Sequence, residues 1–187
     1  MDLSLLISIA AIVILLVLSA FFSGSETALT AARRARLHHL AHKGNRRARI
    51  VGHLSEQKDR LIGAILLGNN LVNILASALA TSLLIGYFGD AGVAYATVGM
   101  TALVLIFAEI MPKTYALRQP DRTALAVAPV IRVFVHVLSP ITRSLQVIVR
   151  LTLRLFGVDV SNSEQLTSAA EEIRSTVDLH SKEGSIV

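Results

Sequence analysis

Three short stretches set polar side chains inside long apolar runs. FFSGSETA carries Ser23, Ser25 and Glu26; LLGNNLVN carries Asn69, Asn70 and Asn73; LIFAEIMPKTYA carries Glu109, followed by Pro112 and Lys113. A polar group in hydrocarbon costs free energy unless it is paired, so intramembrane polar residues mark sites by default. Hydroxyl, amide and carboxylate oxygens are the ligands of a hard cation: Mg²⁺, Ca²⁺ or Na⁺. Cysteine is absent, which removes thiolate metal sites, disulfides and cysteine nucleophiles.

Each group also has a plainer role. Serines near a helix end bond back to their own helix, asparagines join helices, and Glu109 pairs with Lys113 at i+4. The backbone pattern favours the ion site. Pro112 has no amide for the carbonyl of Ala108, which frees that oxygen and bends the helix one residue before Glu109. Gly24 and Gly68 weaken their helices beside Ser25 and Asn69.

Long helices must position these groups. Hydrophobic residues fill 53% of the 187 positions and charged residues 17%, and the mean hydropathy is +0.61. This is a membrane-protein composition. Runs at 3–25, 61–88 and 91–116 each reach the length of about 20 residues that a crossing helix needs. The expectation is an all-α membrane protein with three transmembrane helices. The first run reads as a retained span, because only Met1 and Asp2 precede it, with no basic n-region.

Lys and Arg crowd between Arg33 and Arg60, whereas the turn GYFGDAG has neither. The positive-inside rule then places the N-terminus outside and the C-terminus in the cytosol. At about 1.5 Å rise per residue, Ser23, Ser25, Asn70 and Glu109 all fall in the cytosolic half of their spans. Convergence of the three stretches is therefore allowed. Small residues at Gly92, Ala96 and Gly99, and at Gly24, Ala28 and Ala32, permit close helix approach within a protomer or between two.

Around the spans, 31–60 reads as a cytosolic helical hairpin broken at Gly44–Asn45. From 120 to 157 the chain is apolar with single arginines. Arg132, Arg143, Arg150 and Arg154 fall within roughly 40° of one another around a helix. That stripe favours a broken amphipathic belt at the inner interface, facing anionic lipid headgroups. A fourth transmembrane helix is the competing reading, with Pro129 and Pro140 against it. His38, His39 and His42 offer an i, i+4 metal pair, though solvated histidines are the plainer account. Nucleic acid is a poor partner, since no aromatic residue interleaves the basic loop. Residues 1–158 thus form a transmembrane domain, and 159–187 a polar leader toward another domain. Within that leader Ser161 and Glu164 suit a capping box, and a short helix fits around Ala169–Leu179.

FFSGSETAL, LLGNNLVNI and EIMPKTYA, in this order and on these spans, resemble the transmembrane domain of the CorB/CorC and cyclin-M (CNNM) family of magnesium transporters. The resemblance covers Met1 to about Val160. It implies a homodimer in the inner membrane of a bacterial or archaeal cell, exporting Mg²⁺ against entering Na⁺. It also implies Mg²⁺ ligands at Ser23, Ser25, Asn70 and Glu109, with the Gly68 carbonyl as a further candidate. Asn69, Asn73 and Lys113 are supporting residues, as are Gly24, Glu26 and Pro112 beside the ligands. The family's cytosolic CBS pair is absent from this chain.

Two other classes remain open. A membrane-embedded Mg²⁺ sensor or scaffold would bind the ion without moving it. A membrane enzyme using Glu109 and a serine is the weaker reading, because no histidine or lysine is placed to activate Ser23 or Ser25.

Overall fold

A computed structural model describes residues 3–156, in which helices are joined by short turns: α1 Leu3–Ala31, α2 Arg34–His42, α3 Arg46–Glu56, α4 Lys58–Phe88, α5 Ala91–Leu103, a π-helical segment Val104–Ile110, α6 Met111–Arg118 and α7 Pro120–Leu155. The expected capping box at Ser161 and Glu164 and the helix at Ala169–Leu179 lie outside the described residues. So do the side chains of Arg143, Arg150 and Arg154, which leaves Arg132, exposed, to stand for the basic stripe. The packing described below belongs to the part of the chain before Arg143.

Among the described residues four helices, rather than the three expected, are long and apolar enough to cross a membrane: Leu3–Ala31, Lys58–Phe88, Ala91–Arg118 and Pro120–Thr142. The fourth was expected to be broken at its prolines. Instead Pro129 and Pro140 sit inside one continuous helix of 36 residues, since each proline forfeits a single ladder bond that the flanking turns tolerate. The helices also outrun the apolar runs, α1 continuing to Ala31 and α4 starting at Lys58. Polar residues at a helix end keep the backbone ladder going after the hydropathy signal stops.

The N-terminal part of α1 presents Leu3, Leu6, Ile7, Val13, Ile14 and Val17 to its surroundings, whereas its buried residues begin at Ser19. Packing is concentrated toward the α2–α3 hairpin. There Phe22, Ala28 and Leu29 of α1 join Leu61, Ala64, Ile65 and Val72 of α4, Leu37 of α2, Val51 and Leu54 of α3, and Ala124, Ala128, Ile131 and Val135 of α7. The last four recur at i, i+4, i+7 and i+11, one face of a helix. A smaller cluster, away from the hairpin, joins Ala76 and Ala80 of α4 to Met100 of α5.

Turns follow local chemistry. The hairpin between α2 and α3 turns at Gly44 with φ 90°, a conformation suited to glycine. Asn45 then caps α3 by accepting from the amides of Arg47 and Ala48 at 3.0 and 3.2 Å. Between α4 and α5, a Cβ at Gly92 would collide with the carbonyl of Leu84.

The path of α7 is set by three contacts. Near its start Asp121 accepts from the backbone amide of Arg33 at 2.9 Å and pairs with the Arg33 and Arg36 guanidiniums at 3.2 Å. Midway, Phe134 meets the edge of Phe22, ring centroids 5.0 Å apart. Further on, Thr142 packs against Gly63 near the start of α4. Between its first two contacts α7 advances about 20 Å against about 16 Å from Arg33 back to Phe22, so it runs roughly alongside α1 there. The third contact, at Gly63 near the start of α4, keeps α7 against the hairpin-side halves of α1 and α4 and not along their full length.

Candidate cation site

The serine stretch of α1 is the centre of the site. Ser19, Ser23 and Ser25 are all 0% exposed. Gly24, between the latter two, lies against α6, where a Cβ would stand 3.4 Å from Cβ of Pro112 and 3.5 Å from its carbonyl oxygen. Two residues earlier, the ring of Phe22 covers Gly68 of α4 so closely that a Cβ there would come within 2.9 Å of it. Residues two apart on α1 thus touch α6 and α4. All three polar stretches meet at one level.

The hydrogen bonds sort the polar groups into two sets. The Ser19 hydroxyl donates to Asn69 Oδ1 at 2.8 Å. By contrast Ser23 Oγ, Ser25 Oγ and Asn73 Oδ1 are buried and have no partner among the described residues. A buried hydroxyl or amide left unpaired costs about 1–3 kcal/mol, and such groups in a native fold call for a ligand, a water or an ion. Buried oxygen donors without a partner have the ligand chemistry of a hard cation. Among the described residues no cluster of three His, Cys, Asp or Glu forms, so the donor set is dominated by neutral oxygens.

Glu109 lies in the π-helical segment and is half-buried. There Met111 N–H bonds to the carbonyl of Ile106, five residues back, widening the turn. This changes the expectation for the helix. The irregularity begins at Val104, well before Pro112, and Pro112 itself sits in the first turn of α6, where its missing amide is tolerated. Among the described residues Glu109 makes no ion pair with Lys113, because the π turn ends the simple i, i+4 register. π-turns inside α-helices recur at functional sites. Helices α1 and α4, by contrast, run unbroken through Gly24 and Gly68; these glycines serve close packing rather than a break.

The asparagines divide by face. Asn69 and Asn73, four residues apart, are half-buried, and Asn69 reaches α1; Asn70, 100° further round, is exposed on the single chain. Glu26 and Lys113 sit apart from the serines, lining an open cleft of about 350 Å³ between α1 and α6 with Thr27, Thr30, Ala31 and Leu117. The rings of His38 and His42 pack edge to face on α2, centroids 4.4 Å apart.

Sequence reasoning missed Ser19 and Asp121. Ser19 precedes Ser23 by four residues, so helical spacing alone would have put both on one face. For Asp121 no comparable signal exists, because its partners Arg33 and Arg36 are 88 and 85 residues away.

A bundle of membrane-length helices around buried oxygen donors defines the class: a helical membrane protein with a polar intramembrane site. The chain belongs to the cyclin M family, whose transmembrane N-terminal domain matches residues 10–187. It is 42% identical over 160 residues to the UPF0053 inner membrane protein YfjD of Escherichia coli, covering 86% of this chain and 37% of that protein. It is 28% identical over 190 residues to a protein of Haemophilus influenzae named polyamine export protein, covering 95% and 44% respectively. With a chloroplastic DUF21 domain-containing protein of Arabidopsis thaliana, At1g55930, it shares 33% over 145 residues, 78% of this chain and 22% of that one. The chain spans less than half the length of these relatives.

Proposed function

We propose that this chain is the membrane domain of a Mg²⁺ transporter that exports the ion from the cytosol in exchange for Na⁺, as a homodimer working by alternating access. The observation that carries this reading is the pair of fully buried, unpartnered hydroxyls of Ser23 and Ser25, next to the irregular segment that holds Glu109. Ser23, Ser25, Asn70, the Gly68 carbonyl and Glu109 are the proposed ligands. Asn69 and Asn73, which face α1, are alternative amide donors. Mg²⁺ gives up water reluctantly and demands octahedral geometry, so one carboxylate among neutral oxygens holds it weakly. Weak binding suits an ion that must be released. Na⁺ or a proton would neutralise Glu109 on the return step.

A relative named for polyamine export supports cation export as a family activity. For this chain the inorganic ion is favoured, because a long organic polycation needs several carboxylates along its length, and no cluster of three acidic or histidine residues forms among those described. In this reading the serines act as ligands and not as nucleophiles.

In the inner membrane, α1, α4 and the α5–α6 helix would cross, with the N-terminus outside and the basic α2–α3 hairpin in the cytosol. The contacts of α7 with Arg33, Phe22 and Gly63 favour a belt against the inner ends over a fourth crossing. Its exposed Arg132 would then meet anionic headgroups.

The test is Mg²⁺ flux in proteoliposomes under an imposed Na⁺ gradient, comparing the chain with Glu109→Ala. Sodium-dependent flux that disappears in the variant is the expected result. Mg²⁺ binding without flux, under every gradient tried, would favour a sensor or scaffold instead.

A further inference from the structure

The open cleft between α1 and α6 belongs to neither the serine pair nor the packing core. One wall carries Glu26, directly after Ser25; the other carries Lys113, directly after Pro112, the residue on which Gly24 rests. Its wall is tied to the site above by Thr27, whose hydroxyl donates to the carbonyl of Ser23 at 3.2 Å. The Thr30 hydroxyl is likewise turned onto backbone, to the carbonyls of Glu26 and Thr27 at 2.8 and 3.1 Å. The charges free to act in the cleft are therefore one carboxylate and one ammonium. Glu26 and Lys113 form no ion pair among the described residues, and each is half-buried.

We propose that this cleft is a staging site for a divalent cation, in which Lys113 acts as a tethered competitor that keeps monovalent ions off Glu26. The proposal rests on the cation-site reading above and adds the means of selection. A single ammonium tethered beside Glu26 by its four-carbon stem has an effective concentration on the order of 1 M. Monovalent salt in a cell is at about 0.15 M. A free monovalent ion carries the same charge as the ammonium and is outnumbered. A divalent ion gains twice the Coulomb energy from Glu26 and displaces the ammonium, whose four-carbon stem lets it swing toward the open side. The divalent ion held by Glu26 is then one residue along α1 from Ser25, whose buried hydroxyl lacks a partner.

The measurement is Mg²⁺ titration by calorimetry on the purified chain in detergent, with N-methylglucamine exchanged for K⁺ at a constant ionic strength of about 0.15 M. The wild-type chain and Lys113→Arg are expected to bind Mg²⁺ equally in both salts. In Lys113→Met, K⁺ should weaken the apparent affinity about two- to fivefold. Adding Glu26→Gln to that variant should remove the K⁺ effect, since the competition is for that carboxylate. A Lys113→Met chain as indifferent to K⁺ as the wild type overturns the proposal, and so does a K⁺ effect that survives Glu26→Gln. If Lys113→Met fails to fold, Lys113→Gln serves the same comparison. Glu109→Gln in the same series separates the two readings: retained Mg²⁺ binding there defeats the deeper site, while the K⁺ comparison still decides the role of the cleft.

Discussion

Two buried polar clusters in this bundle are handled in opposite ways. Asp121, 7% exposed, is satisfied by the Arg33 amide and by two guanidiniums. Ser23 and Ser25 are more deeply buried and their hydroxyls have no partner among the described residues. A satisfied carboxylate at the edge of a core holds elements together: here it ties the α1–α2 junction to α7. Unsatisfied hydroxyls at the centre stabilise nothing by themselves. The contrast separates a structural clamp from a candidate site, although both are "buried polar" by burial alone.

The comparison can be broken by substitution, and the largest effect is expected at Glu109. Glu109→Gln should cut Mg²⁺ affinity at least about 100-fold, as loss of the charged ligand exceeds the usual cost of a supporting group, with little change in thermal stability. Calorimetric Mg²⁺ titration checks it, and unchanged affinity would remove Glu109 from the site. Asp121→Ala should do the reverse. It forfeits charge-assisted hydrogen bonds, a loss of about 1–3 kcal/mol in unfolding free energy, discounted because the two arginine side chains are 69% and 61% exposed and can be solvated instead. Its Mg²⁺ affinity should stay at the wild-type value.

Smaller effects sharpen the same contrast. Ser25→Ala should weaken Mg²⁺ binding about tenfold, yet leave stability unchanged or raised, since it removes a buried hydroxyl with nothing to bond. A clear fall in melting temperature with intact Mg²⁺ binding would reassign Ser25 to structure. Ser19→Ala is the mildest case. It removes the donor to Asn69 and should cost about 1 kcal/mol in a denaturation assay in mild detergent, with Mg²⁺ affinity reduced only as far as Asn69 shifts.

Much of the framework was legible in the residues. Long apolar runs specify helices because hydrocarbon leaves the backbone no partner except itself. The Gly44–Asn45 break was equally legible, because glycine at positive φ and an asparagine cap are local chemistry. The polar stretches in α1, α4 and the Glu109 helix stood out for the same reason: their cost is a property of the residue type.

Other features depended on which helices meet. The course of α7 could not be read from its prolines, because a long helix tolerates isolated lost bonds, and its contacts at Arg33, Phe22 and Gly63 join residues distant in the chain. The π-helical stretch at Val104–Ile110 likewise has no local signature beyond the nearby proline. Nor does sequence distinguish Asn69, bonded to Ser19, from exposed Asn70. By itself the sequence determined that oxygen donors would lie within apolar helices, since composition and period are local. Only the tertiary structure decided which of them are satisfied and which are left without a partner, because satisfaction depends on what the neighbouring helix brings within about 3 Å.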